Sequence, residues 1–156
     1  MSHAHRSYVS YIDKSREYYA AQGYPQPYRW ATHTDAPFTA LTKPLSECVI
    51  GVVTTAAKDS DAPLAPYAAP IDPVPEAMAT THLSWHKDAT HTDDLGSFLP
   101  LSHLQTLADE GVIGSVAARF TGIPTVYSQR RTTTWANEVH DWLIEDDVDL
   151  ALLLPL

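Results

Sequence analysis

The stretch Asp147-Val148-Asp149-Leu150-Ala151-Leu152-Leu153-Leu154-Pro155-Leu156 decides the fold. Its apolar run, Leu150 to Leu154, follows an acidic helix end. That is the pattern of a buried parallel strand, the kind found at the centre of an α/β sheet. In open α/β sheets, ligands and reacting groups gather just beyond the carboxyl ends of such strands. The sequence stops at that point, with no helix to cover the run. The expectation is therefore a fragment, or a site whose working group comes from another chain.

Working back along the chain, Thr132 to Glu145 reads as a helix with Trp135, Val139, Trp142 and Leu143 on one side. Val112 to Arg119 reads as a turn and a short strand. Leu101 to Glu110 reads as a helix with Ser102 as N-cap and Gly111 as its stop. Thr80 to Trp85 reads as a short strand. Asp59 to Ala79 carries five prolines and reads as a long loop. Cys48 to Ala56 is the other strongly apolar run and reads as the first buried strand. Residues 1–45 form a separate section, a helix over Ser7 to Gln22 closed by Gly23, then a Pro- and aromatic-rich extended arm. Residues 46–156 alternate strand and helix. The fold class expected is α/β, a layered domain with a largely parallel sheet flanked by helices, incomplete at its last strand.

Composition narrows the partners. The chain has 156 residues, is 44% hydrophobic and carries a formal net charge of −9. A globular core is expected, not disorder. The negative charge argues against nucleic acid, whose phosphates need clustered Lys and Arg, and against an anionic membrane surface. A single cysteine, Cys48, excludes an internal disulfide framework and suits a reducing compartment. With no secretory leader and no long apolar span, a cytoplasmic location is expected.

The densest polar cluster is His82 to Asp94, with His82, His86, Asp88, His91, Asp93 and Asp94. Imidazole and carboxylate suit acid/base work, for which His82, His86 and Asp94 are the candidates. They also suit a divalent transition metal, with His82, His86, Asp88 and His91 as candidate ligands. The even spacing of His82 and His86 would put both on one face of a continuing strand. The alternative is an acidic loop whose side chains cap turns. Cys48 opens an apolar strand beside Glu47, which favours a buried thiol over a nucleophile. Arg119, Arg130 and Arg131 either hold a carboxylate or phosphate bidentately or lie on solvated loops with the acidic helix Glu138 to Asp147 nearby.

Several segments, in their order, resemble a known family. They are Tyr11-Ile12-Asp13-Lys14-Ser15-Arg16-Glu17-Tyr18-Tyr19, Pro27-Tyr28-Arg29-Trp30, Pro37-Phe38-Thr39, Lys43-Pro44-Leu45-Ser46-Glu47-Cys48 and Val52-Val53-Thr54-Thr55-Ala56. His82 with its acidic loop follows, then Asp94, Phe98-Leu99-Pro100-Leu101, Leu104 and Leu107 to Gly114. Together they resemble the N-terminal half of the glycine/sarcosine/betaine and D-proline reductase selenoprotein B family. The resemblance covers nearly the whole chain. It implies a selenol- or thiol-dependent reductase that cleaves a C–N bond of a small amine or amino acid. It places a selenocysteine or cysteine, followed by a cysteine three positions on, just after Leu156, and a further α/β half beyond. Selenocysteine would then be part of the full-length protein, and Leu156 would precede a selenocysteine codon read as stop, or a plain truncation. Family members of the anaerobic type act with a partner subunit carrying a pyruvoyl group. This chain departs from the family in lacking the redox motif, and in having His86 where those relatives carry another polar residue. Two other readings remain beside the reductase: a metal-binding or hydrolytic domain using His82 to Asp94, and a non-catalytic subunit that pairs with a partner, or with itself, through the last strand.

Overall fold

Strand β1, Val49–Thr54, is the axis of the sheet, and its side chains are buried on both faces from Ile50 onward. A strand covered on both faces needs apolar residues throughout, which is what Val49-Ile50-Gly51-Val52-Val53 supplies. The computed structural model describes residues 11–24, 26, 29, 31–36, 39–83 and 87–156. Ser7 and Val9 of the expected first helix, most of the arm's aromatics, and Ser84, Trp85 and His86 lie outside the described residues.

The chain forms two compact units, 1–37 and 38–156. In the first, helix α1 (Tyr11–Ala21) ends at Gly23, whose φ of 88° is the left-handed conformation that stops a helix cheaply only at glycine. Asp13 and Arg16, one turn apart, pair at 3.1 Å.

In the second unit a five-stranded sheet is built around β1. Along one edge of β1 run two short parallel strands in succession. β3 (Ser115–Val116) pairs with Val49 and Ile50, and β4 (Arg119–Gly122) pairs with Val53 and Thr54. The other edge is taken by β5 (Leu150–Leu154), parallel and in register from Ile50↔Leu150 to Thr54↔Leu154. β2 (Tyr67–Pro70) lies antiparallel on the far side of β4. Helix α2 (Leu101–Asp109) follows β2 in the chain and leads into β3, and helix α3 (Gln129–Glu145) connects β4 to β5. The layered, largely parallel α/β architecture expected from the alternation is the one present.

The two faces are covered differently. On one, Ile50 and Val52 pack with Phe98, Leu99, Leu101, Leu104, Ile113 and Phe120, and Leu150, Leu152 and Leu154 join them half-buried. On the other lies α3, whose Trp135 and Val139 are buried as its periodicity requires. Gly51 faces this helix: a Cβ there would lie 2.8 Å from Leu143 Cδ2 and 2.9 Å from Val148 Cγ1. Arg119 ties the helix end back to β4. Its Nε donates to Asp146 and its Nη2 to Glu145, each at 2.7 Å, and these partners hold its pKa up. The anion-holding alternative for Arg119 thus gives way to an internal ion pair. Arg130 and Arg131 stay exposed in the first turn of α3, with Arg131 over the Trp135 ring.

Four sequence expectations are corrected. β5 is parallel but not central: among the described residues it has β1 on one edge and no strand on the other, and Leu153 is 71% exposed. An apolar run reports that a strand can be covered, not that it is. The Asp59 to Ala79 loop contains β2, which its flanking prolines concealed; Pro70 is tolerated because β2 is itself an edge strand. Thr80 to Leu83 is a turn closed by Leu83 N–H to the Thr80 carbonyl (2.9 Å), not a strand, so the shared-face argument for His82 and His86 falls. Ser102 lies inside α2, whose N-cap is Pro100 without a side-chain cap. The Gly111 stop holds, with φ 72°. Among the described residues no helix is long and apolar enough to cross a membrane.

Candidate functional site

The strand register carries the carboxyl ends of β1 and β5 to the same level, Thr54 beside Leu154. Just beyond this pair, the Leu156 N–H donates to Thr55 Oγ1 at 2.9 Å, so the two ends are fastened together. Strand-end loops of a parallel sheet converge at this edge, and here they enclose two depressions.

The first, about 110 Å³, is mostly apolar: Ala56, Ala57, Pro63 and Leu64 line it together with Thr55, Asp59, Ser60, Tyr67 and His82. Tyr67 reaches it from β2 and donates its hydroxyl to the Ala56 carbonyl at 2.6 Å. Burial of the ring holds the phenol above its ordinary pKa, so it remains a donor. Asp59 is engaged locally, its Oδ1 accepting from Asp61 N–H at 3.0 Å, which shapes the loop as an Asx turn. Lys58 stands over the Tyr67 ring, Nζ 5.8 Å from the centroid. His82 is exposed and comes from the Thr80–Leu83 turn. That turn is anchored by two backbone hydrogen bonds between Ala57 and Ala79 and by a 2.6 Å contact between the hydroxyls of Thr80 and Thr92.

The second depression is an apolar groove of about 400 Å³ on the α3 side. Val53, Ile123, Ala136, Val139, Leu143 and Leu153 line it, and His140 stands at its rim.

Of the residues singled out from the sequence, His82 alone among the described ones lines the strand-end pocket. Asp94 caps the short 3₁₀ turn Leu95–Ser97, accepting from Gly96 N–H at 3.0 Å, as the turn-capping alternative anticipated. His91 and Asp93 sit 3.6 Å apart on the exposed part of the loop, and Asp88 is in an exposed turn. His86 lies outside the described residues. Among the described residues no three His, Cys, Asp or Glu side chains are grouped to hold a metal ion. Cys48 is fully buried, its thiol donating towards the Pro44 carbonyl at 3.3 Å, at the amino end of β1 and so away from the strand-end pocket.

Thr55 and Tyr67 are pocket residues the sequence reading did not single out. Thr55 carried a usable signal, as a hydroxyl directly after a buried parallel strand. Tyr67 carried none, because its place depends on pairing β2 with β4.

No protein-family model, curated protein or solved structure matches the chain.

Proposed function

We propose that the chain is the N-terminal, pocket-forming portion of a selenol- or thiol-dependent reductase of the selenoprotein B type, acting on a small amine or amino acid in the cytoplasm. The observation that carries the reading is that His82 lines one pocket with Thr55, the residue after β1 that is bonded to Leu156 beyond β5. The resemblance places the redox pair immediately after that strand, so a thiolate or selenolate there would emerge next to Thr55 and the His82 turn. Such a pair gives up two electrons as it closes to a disulfide or selenenylsulfide. Cleavage of a C–N bond takes up those two electrons and two protons, releasing the amine and leaving a C–H bond. His82, an exposed imidazole at the pocket, is suited to carry one of the protons. An external dithiol resets the pair. Cys48, buried and single, has no part in the cycle.

The test is dithiol-driven reduction of candidate amine substrates by three proteins. These are the present chain, the chain extended by its downstream reading frame, and the extended chain with its redox pair replaced. The expected pattern is turnover by the extended chain only. Robust turnover by the present chain, lost in Cys48→Ser, would move the site to Cys48 and overturn the reading. A downstream frame without a redox pair would overturn it as well.

A further inference from the structure

We propose that Tyr67 is the positioning residue for His82, acting through the peptide unit between Ala56 and Ala57. The inference rests on the reading of His82 as a working group of the strand-end pocket. The Tyr67 hydroxyl holds the Ala56 carbonyl at 2.6 Å. The N–H of the same peptide unit, that of Ala57, donates to the Ala79 carbonyl at 3.0 Å, and the Ala79 N–H returns a bond to the Ala57 carbonyl at 2.8 Å. A trans peptide is planar, with its C=O and N–H pointing opposite ways. Fixing the direction of the Ala56 carbonyl therefore fixes the direction in which Ala57 meets Ala79. Ala79 leads directly into the Thr80–Leu83 turn, whose third residue is His82. One hydroxyl thus sets where the turn is held beside the pocket.

The ring that carries this hydroxyl has little freedom. It lies against Gly122, where a Cβ would stand 2.0 Å from Tyr67 Cε1, so no larger residue leaves the ring its place. Phe120 meets it edge-on, with centroids 6.1 Å apart and planes at 89°. Phe120 and Gly122 both belong to β4, the strand that pairs with β2. The sheet thereby determines where the hydroxyl points, and the hydroxyl passes that geometry to a turn outside the sheet.

The full chain carrying Tyr67→Phe keeps the ring packing and loses only the hydroxyl. Gly122→Ala keeps the hydroxyl and displaces the ring. Each is compared with the parent by amide hydrogen exchange at Ala57 and Ala79, by site-resolved modification with diethyl pyrocarbonate, and by the chemical shifts of the histidine imidazole resonances at one pH, with His82 assigned through His82→Gln. In Tyr67→Phe the Ala57 and Ala79 amides exchange about tenfold faster, as expected when one hydrogen bond of a local closing equilibrium is lost. The His82 modification rate and imidazole chemical shifts change, while those of His103 and His140 stay at the parent values. Gly122→Ala reproduces the His82 change. His82 behaviour identical to the parent in either variant that retains a cooperative melt overturns the proposal, whatever the amides do. No arm uses turnover, so failure of the reductase reading and failure of this inference are separable.

Discussion

The Leu156 N–H donates to Thr55 Oγ1, 101 residues earlier, at 2.9 Å. The bond joins the residue following β1 to the segment following β5, beyond the last paired residues Thr54 and Leu154. It makes the strand-end edge of the sheet a fixed platform for the pocket that Thr55 also lines.

Thr55→Val removes the acceptor while keeping the side-chain shape. The partly buried Leu156 N–H is left without its partner, and the expected loss is about 1 kcal/mol. Thr55→Ser keeps the oxygen and should recover most of it. Urea unfolding of the three proteins at one pH decides the matter through the midpoint at constant slope.

Gly51→Ala places a methyl group 2.8 Å from Leu143 Cδ2 and 2.9 Å from Val148 Cγ1, under α3. The helix must lift or Leu143 must leave its rotamer, and overpacking of this kind costs about 1–3 kcal/mol. Pairing the change with Leu143→Ala should make the double variant less destabilised than the sum of the two. Strict additivity in a double-mutant cycle would show that the helix does not rest on Gly51.

Cys48 has no exposed surface and its thiol faces the Pro44 carbonyl. In the native protein a thiol reagent such as Ellman's should react only at the rate of unfolding, and one equivalent should appear at once in denaturant. Cys48→Ser retains a donor for Pro44 and should cost about 1 kcal/mol. Rapid native labelling would contradict the burial.

At the amino end of the sheet Asp149 Oδ2 accepts from Lys43 Nζ and from Val49 N–H, each at 2.7 Å. The Lys43 hydrogen bond, then the Val49 N–H, hold the Asp149 carboxyl below its ordinary 3.8, and the Asp149 hydrogen bond holds Lys43 above its ordinary 10.5. A depressed carboxylate contributes stability above its unfolded pKa, and loses it as pH falls through the lower folded value. A raised ammonium contributes below its unfolded pKa, and loses it as pH rises through the higher folded value. The stability gap between the parent and Asp149→Asn should be flat between these limits. It should close in acid below 3.8, and again in alkali above 10.5. A gap unchanged into strong acid would remove the ion pair from the account. Both groups are solvent-accessible, so added salt should narrow the gap.

Among the described residues no strand pairs with the outer edge of β5, which carries no charge, and on the α3 side Leu153 is 71% exposed. Such an edge is a template for pairing with another strand. The chain as it stands should associate at micromolar concentration, and Leu153→Lys should suppress this without lowering the thermal midpoint. Sedimentation velocity over a concentration series checks both. A parent that stays monomeric throughout would mean the edge is protected in a way the fold does not show.

The sequence by itself determined the local elements. Val49 to Thr54 reads as a covered strand because its five residues before Thr54 carry no polar side chain. Trp135 and Val139 recur at a helical interval, so α3 and its buried face followed. Gly23 and Gly111 stop their helices because each takes a left-handed φ. Even the burial of Cys48 could be read from its apolar neighbours. The tertiary structure alone decided what meets what. The Leu150 to Leu154 run reads the same at the centre of a sheet as at its edge, since hydrophobicity records the capacity for cover and not its presence. β2 is short and bounded by prolines, and it exists as a strand because Tyr67 to Pro70 find β4 some fifty residues later. His82 and Thr55 line one pocket, beside the Ala57–Ala79 pair and a Tyr67 ring seated on Gly122. These are long-range hydrogen bonds and close contacts between residues with no local signature. Periodicity and propensity act over a few residues, so they specify elements, whereas a site of this kind comes from the order in which the elements are packed.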